Sequence, residues 1–148
     1  MKIERYDMIV IGAGPAGLSA AIEAAKKGLK PIVFDENAKP GGQLFKQIHK
    51  FFGSKEHKAK VRGFKSAEAE KYGVEVVLNA IVVGLYPEKE VTVKVGDKVK
   101  HYKGDVVLVA TGASENMVNF EGWTKPGVIG AGAAPRVGGY GVHAAKIA

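Results

Sequence analysis

Cysteine is absent from the 148 residues. The chain therefore has no disulfide, no thiolate metal site, no nucleophilic thiol and no redox-active cysteine pair. Acidic side chains are in deficit, 15 Asp plus Glu against 22 Lys plus Arg, for a formal charge of +7. That balance suits anionic ligands, nucleic acid or much smaller phosphates, and no nucleic-acid-binding signature accompanies it. An apolar run of membrane-spanning length is missing too. The best candidate, residues 9–22, falls short of the roughly 20 residues a span needs and is broken by Gly-Ala-Gly-Pro-Ala-Gly. Glu4 and Asp7 spoil the basic flank of a signal peptide, so the reading is a cytoplasmic chain without membrane contact. Glycine, by contrast, is plentiful: 20 residues with no three-residue period, which assigns them to loops rather than a fibre. The 46% hydrophobic and 25% charged content is that of a globular domain long enough to bury its own core.

Asp7-Met-Ile-Val-Ile-Gly12 reads as a strand buried on both faces. Alanine-rich Pro15–Lys27 reads as a helix, with Lys26 and Lys27 in its last turn and Gly28 as the terminating glycine. Lys30–Asp35 is a second strand, its Pro31 near the start where a missing amide is tolerated. Strand, helix and strand in about 30 residues make a parallel βαβ unit. Pro40-Gly41-Gly42 punctuates a loop. Lys46–Lys65 carries seven basic side chains and one acid, Glu56. It reads first as a solvated helical face, with contact to a partner domain or a phosphate as the alternative. An abbreviated helix follows around Ser66–Lys71. Val74–Leu78 reads as a third buried strand, and Ala80–Tyr86, Glu90–Val95 and Lys98–Lys103 as a three-stranded meander with Gly96-Asp97 as a two-residue turn. Asp105–Ala110 is a further fully buried run, and a helix is expected from about Gly141.

Gly12-Ala13-Gly14-Pro15-Ala16-Gly17 is a G-x-G-x-x-G sequence that follows a strand and opens a helix inside that βαβ unit, the context in which it signals dinucleotide binding. Gly12 permits the tight turn, Gly14 lets a pyrophosphate reach the backbone, and Gly17 lets the helix pack closely on the strand. Amides at the helix start then face the phosphates, aided by the helix dipole. Asp35, 18 residues past Gly17 and at the end of the second strand, is placed for a ribose hydroxyl, with Glu36 as the neighbouring alternative.

Three further stretches resemble the FAD-binding domain of the pyridine nucleotide–disulfide oxidoreductase superfamily. Pro40-Gly41-Gly42-Gln43-Leu44 is similar to the Gly-Gly-Gln loop of its thioredoxin reductase-like branch. The meander stands where a crossover helix would otherwise be. Asp105–Ala113, ending in Ala110-Thr111-Gly112-Ala113, resembles the strand whose Ala-Thr-Gly loop passes the cofactor. Asp35-Glu36-Asn37 before Pro-Gly-Gly-Gln resembles most the sarcosine oxidase α-subunit-like members. The resemblance covers roughly residues 5–133. It implies an α/β fold, a Rossmann-like parallel sheet with a three-stranded antiparallel meander. It further implies that Gly12, Ala13, Gly14, Pro15, Ala16 and Gly17 hold the FAD pyrophosphate, and that Asp35 with Glu36 binds the adenosine ribose. By the same resemblance Gly42 and Gln43 lie along the cofactor, the backbone near Val82 meets the adenine, and Ala110, Thr111 and Gly112 line the phosphate side.

The departures matter as much. The cysteine pair of the disulfide-reducing branch is missing. The superfamily's acid for the flavin ribityl chain aligns with Ala133 in one register, and no second G-x-G-x-x-G follows. The chain reads as shortened, with an FAD-binding domain over 1–133. The C-terminal helical segment over 134–148 reads as a remnant of a second nucleotide-binding domain. The expected function is that of an FAD-binding domain of an FAD/NAD(P)-dependent oxidoreductase, using flavin-mediated hydride transfer with NAD(P)H as donor in a complete enzyme. An NAD(P)-binding domain and a degenerate, non-catalytic nucleotide-binding or interaction module stay open as alternatives. So do self-association and a partner domain or subunit. No residue is assigned to catalysis and none to a metal. His143 reads as structural or exposed rather than as a base, His49, His57 and His101 lack ligand spacing, and Trp123 reads as a packing anchor.

Overall fold

The computed structural model describes residues 3–43, 66–116, 118–130 and 133. The basic stretch 46–65 and the segment 134–148 with its expected helix lie outside them. Among the described residues six strands and one long helix follow in the order β1 (Ile3–Ile11), α1 (Pro15–Lys26), β2 (Pro31–Phe34), β3 (Glu75–Val77), β4 (Ala80–Leu85), β5 (Glu90–Val95) and β6 (Lys98–Val109), with a helical stretch over 66–71. They form one sheet in the order β3-β2-β1-β6-β5-β4. β3, β2, β1 and β6 run parallel, and β5 and β4 turn back antiparallel. This is the α/β arrangement expected, a Rossmann-like parallel sheet extended by a meander.

Local chemistry accounts for the βαβ unit. Pro15 occupies the first helical turn, where its missing N–H leaves nothing unsatisfied. At the other end Gly28, at φ +84°, donates to Ala25 O (2.9 Å) while Leu29 N donates to Ala24 O (3.1 Å). These paired bonds close the helix in a Schellman motif, and its left-handed residue costs glycine little. Leu18, Ala21 and Ile22 form the buried stripe of α1. They pack on Val10 and Val33 of the sheet, with Ala69 and Val74 completing that layer. On the other face Ile9, Ile32 and Phe34 meet Val91, Val93 and Tyr102 from the meander. The parallel sheet is therefore covered by helix on one side and by strands on the other.

Two sequence expectations are corrected. Lys98–Lys103 and Asp105–Ala110 are not separate elements but one 12-residue strand, β6. The glycine between them reads like a break. Gly104 instead marks a close approach, since a Cβ there would lie 3.1 Å from the Ile9 side chain and 2.9 Å from Val106 O. The first half of β6 pairs with β5, and from His101 with β1 as well; beyond Lys103 it keeps only β1 among the described strands. For that reason the second half is not fully buried: Val106 is 55% and Val109 57% exposed. β3, expected to be buried, is a half-buried outer strand. β1 also begins earlier than its apolar run, because Ile3–Tyr6 pairs with His101–Gly104. The two-residue turn at Gly96-Asp97 is present, with Val95 opposite Lys98.

Tyr6 ties the centre of the sheet to its edge, its hydroxyl donating to the Glu75 carboxylate across 2.8 Å. Burial, then the Glu75 carboxylate, pushes the Tyr6 phenol well above its ordinary value of 10.0. An elevated folded-state value contributes stability that is complete below the unfolded-state value and is lost as pH rises beyond it. Stability should therefore fall above about pH 10. Tyr6→Phe should blunt that fall, as a comparison of urea midpoints at about pH 9 and about pH 11 would read. An equal fall in the variant would assign the alkaline sensitivity elsewhere.

Candidate functional site

Three strand ends meet where β1 stops. Gly12 N donates to Phe34 O of β2 (2.7 Å), and Ala110 N donates to Ile11 O (2.8 Å). Gly12 takes φ +110°, and a Cβ on it would collide with the Ala110 carbonyl oxygen. A Cβ on Gly17 would collide with the Gly12 carbonyl in turn, so α1 can begin this close to β1 only without side chains. The Pro40-Gly41-Gly42 loop closes over the turn. Gly41 N donates to Ala13 O (2.8 Å), and a Cβ on Gly42 would stand 3.2 Å from the Gly14 Cα.

Gly14 differs from these. It is the extended N-cap of α1, with φ −71° and ψ 179°, and nothing lies within 4 Å of where its Cβ would project. No side chain caps the helix, and its first turn holds no acid. Leu18 N is taken by Gly14 O (2.9 Å), while the amides of Ala16 and Gly17 have no acceptor among the described residues. Unsatisfied first-turn amides and the positive end of the dipole make an anion cradle.

Two adjoining cavities open there. The larger, about 630 Å³, is lined by Gly12, Gly14, Pro15, Ala16, Asp35, Glu36, Gly42, Gln43, Ala110, Thr111 and Gly112, together with Asn37 and Ala113. The smaller, about 240 Å³, lies against Val82, Ile81, Ala80 and Phe34 and shares Gly12, Asp35, Glu36, Asn37 and Thr111 with the first. Every site residue expected from sequence reaches one of these cavities except two. Ala13 and Gly17 are buried behind the wall and build the turn. No Lys or Arg among the described residues lines either space, so an anion would meet backbone amides there rather than side-chain cations.

Asp35 is 7% exposed. Its Oδ2 accepts from Ala13 N (2.6 Å), and its Oδ1 accepts from both Asn37 N and Asn37 Nδ2 (2.8 Å each). It thus clamps the glycine turn to the end of β2. Glu36 is exposed on the cavity side and has no partner among the described residues. Sequence reasoning missed Asn37 as a wall residue. The signal was present, since an Asn two places after an Asp at a strand end readily returns hydrogen bonds to it.

The remaining candidates fall away from this place. His101 pairs across strands with the buried Thr92, Nδ1 to Oγ1 at 3.0 Å. Trp123 is 39% exposed, so the packing-anchor expectation fails among the described residues. His49, His57 and His143 lie outside them. Among the described residues no cluster of three His, Asp or Glu could hold a metal ion, and no helix is long and apolar enough to cross a membrane.

Comparison with known proteins agrees with this geometry. The family model for pyridine nucleotide-disulphide oxidoreductases matches residues 6–136. A subunit of the opine oxidase of Agrobacterium tumefaciens (strain Ach5) is 36% identical over 143 residues, covering 87% of this chain and 28% of that protein. The alpha subunit of sarcosine oxidase from Corynebacterium sp. (strain P-1) is 30% identical, with 93% of this chain and 16% of the relative covered. The crystal structure of L-proline dehydrogenase from P. horikoshii superposes with a TM-score of 0.79 at 28% identity, covering 95% of this chain and 30% of that one. The chain spans less than a third of each.

The two outer positions of the Gly-Ala-Gly turn should respond differently to a side chain. Gly12→Ala should lose roughly 2 kcal/mol or more, through overpacking and a strained positive φ. Gly14→Val, which projects into open space from extended backbone, should melt within a few degrees of the parent. Thermal unfolding of both variants reads the contrast directly.

Proposed function

Because the chain belongs to the pyridine nucleotide-disulphide oxidoreductase family, matched over most of its length, we propose that it is the FAD-binding domain of a larger FAD/NAD(P)-dependent oxidoreductase. Members of that family are FAD-dependent and take electrons from NAD(P)H. The observation that carries the assignment to this site is the open space above Gly14 at an uncapped helix start. A pyrophosphate fits that description, because it brings two negative charges and needs backbone amides at close range. Gly12, Gly14, Pro15, Ala16 and Gly17 would hold it, with Ala13 fixing the turn from behind. The adenosine half would run toward the ends of β2 and β4, past Asp35 and Glu36 to the apolar wall at Val82. Gly42, Gln43, Ala110, Thr111 and Gly112 would flank the extended cofactor on its other side.

Bound flavin supplies the hydride chemistry, and the protein supplies binding, orientation and electrostatics. The uncapped amides and the dipole of α1 offset phosphate charge. The glycine contacts bring three strand ends together behind the phosphate site. The site lies at the carboxyl ends of the parallel strands, where open α/β sheets bind ligands. A nicotinamide dinucleotide shares the adenosine diphosphate half and would use the same walls; the visible absorbance of bound flavin separates the two.

Partners follow from the short span. The relatives named as subunits are several times longer than this chain, and Phe120, Trp123 and Ile129 are exposed beyond β6. These apolar side chains suit contact with further polypeptide, a partner domain or subunit in a cytoplasmic enzyme. Residues 1–133 are the nucleotide-binding unit in this proposal, and 134–148 a remnant of a second one.

Two outcomes test the reading. Purified chain given FAD should retain it and turn yellow, whereas Gly14→Val should lose at least roughly tenfold in affinity while still folded, because valine takes the place of the pyrophosphate. Stoichiometric flavin in that variant would refute the assignment of the turn. The chain with FAD should also oxidise NADH little faster than free flavin does. Hydride transfer needs the nicotinamide held at roughly 3–3.5 Å in aligned geometry, and this sequence holds one G-x-G-x-x-G, with Ala133 aligned on the family's ribityl acid in one register. Saturable loss of NADH absorbance at a few turnovers per second would show a nicotinamide site within these residues.

A further inference from the structure

A separate cavity lies toward the opposite end of the parallel strands. It measures about 260 Å³ and is lined by Arg5, Tyr6, Asp7, Lys30, Lys103 and Asp105, none of which lines the two at the glycine turn. At about 3.3 Å per residue, Asp7 stands roughly 16 Å along β1 from Gly12. The pairing of β1 with β6 is interrupted here: Tyr6 pairs with Gly104 and Met8 with Val106, while Asp7 and Asp105 are passed over. Asp7 is engaged by Lys30 instead. Its N donates to Lys30 O (3.1 Å), and its Oδ2 accepts from Lys30 N (2.6 Å). Ladder irregularities re-aim side chains and are common beside functional sites. The charges around the cavity are unevenly engaged. Lys103 pairs with Glu90 (3.0 Å), and the Lys30 ammonium lies over the Tyr6 ring, 4.5 Å from its centroid. Arg5 and Asp105 are both exposed on this cavity, and neither has a partner among the described residues.

We propose that this cavity binds a small zwitterion, an amino acid whose carboxylate is taken by Arg5 and whose ammonium is taken by Asp105. The site stands independently of the nucleotide reading. With Lys103 neutralised by Glu90, the remaining charged groups of the lining balance, Arg5 and Lys30 against Asp7 and Asp105. A simple anion drawn to Arg5 would also meet the Asp105 carboxylate. A simple cation drawn to Asp105 would also meet Arg5 and Lys30. Only a ligand that carries both charges satisfies both unpartnered groups at once. The guanidinium fork takes a carboxylate through two parallel N–H donors, and an ionised aspartate is an acceptor suited to ammonium protons. One wall is fixed in advance, because Tyr6 is buried and its hydroxyl is bonded to Glu75. The cavity volume falls below the roughly 300–1,000 Å³ of drug-sized ligand sites, which suits a single amino acid rather than a peptide.

The test is a titration of the isotope-labelled full chain, followed through its amide chemical shifts at constant ionic strength. The probes are L-alanine, β-alanine and 4-aminobutyrate, which hold the two charges at increasing separation. Propionate and ethylamine serve as single-charge controls. At least one zwitterion should saturate with a Kd of roughly 1–10 mM, the scale of two hydrogen-bonded charge contacts. Its shifts should centre on Tyr6–Met8 and Gly104–Val106 and leave Gly12–Gly17 in place. Each control should bind at least roughly tenfold more weakly than that zwitterion. Arg5→Gln and Asp105→Asn alter exposed side chains and leave the fold intact, and each should cost about tenfold in zwitterion affinity. Absence of saturable shifts with all three zwitterions overturns the proposal. So does a single-charge control that binds as tightly as the zwitterion, or full affinity kept in either variant.

Discussion

Everything at the working end of this domain depends on three backbones sharing the space normally taken by two. The Ala110 carbonyl, the Gly12 turn and the start of α1 at Gly17 approach so closely that a single Cβ at either glycine would overlap a carbonyl oxygen. Glycine at both positions is the condition for the contact, and the contact gives the site its shape. It brings β6, β1 and α1 to one point and leaves the first-turn amides facing outward. The Ala13–Asp35 hydrogen bond then locks the turn onto β2, and the Gly41–Ala13 bond fastens a second loop above it. Rigidity here has a functional consequence, since a cradle made of amides binds an anion well only if the amides need not be reoriented.

The βαβ unit was legible in the sequence because its signals are local and agree. An apolar run, a glycine turn, Pro15, an alanine-rich stripe and Gly28 all act within one or two turns of chain, and each specifies the same structure. β6 was misread because its glycine looks like punctuation to any local reading. A Cβ at Gly104 would press on Val106 O along the strand and on Ile9 across the sheet, and neither contact can be read from a glycine in the sequence. The exposure of Val106 and Val109 was hidden for a related reason. An apolar run records that burial is intended, without recording which polypeptide supplies the cover, and among the described strands only β1 flanks that half of β6.

The site was legible as a set of wall positions and much less so as a set of roles. Glycine at fixed offsets, an acid at the strand end and a Thr-Gly exit identify places, because each reflects a backbone constraint that spacing preserves. Which of two neighbouring acids is free depends on hydrogen bonds to Ala13 and Asn37, and no spacing rule encodes those. Asp35 and Glu36 are near-equals in sequence. In the fold Asp35 accepts three hydrogen bonds, and Glu36 lies on a cavity wall without a partner among the described residues.

This separation lets one short strand end complete the fold and still present a carboxylate to the cavity. A carboxylate that must hold a turn is poorly suited to follow a ligand, because each new donor competes with those already bound. A carboxylate free to follow a ligand contributes nothing to the turn. Placing the two side by side lets β2 end with a buried Asp35 that completes the backbone bonding and an exposed Glu36 that takes no part in it. The same logic operates across the glycine turn, where Gly12 and Gly17 are fixed by packing while Gly14 keeps open space above it. Positions committed to the scaffold lie beside positions left open along both edges of the cavity. Substitutions one residue apart should therefore act on different quantities, stability at one position and affinity at the next.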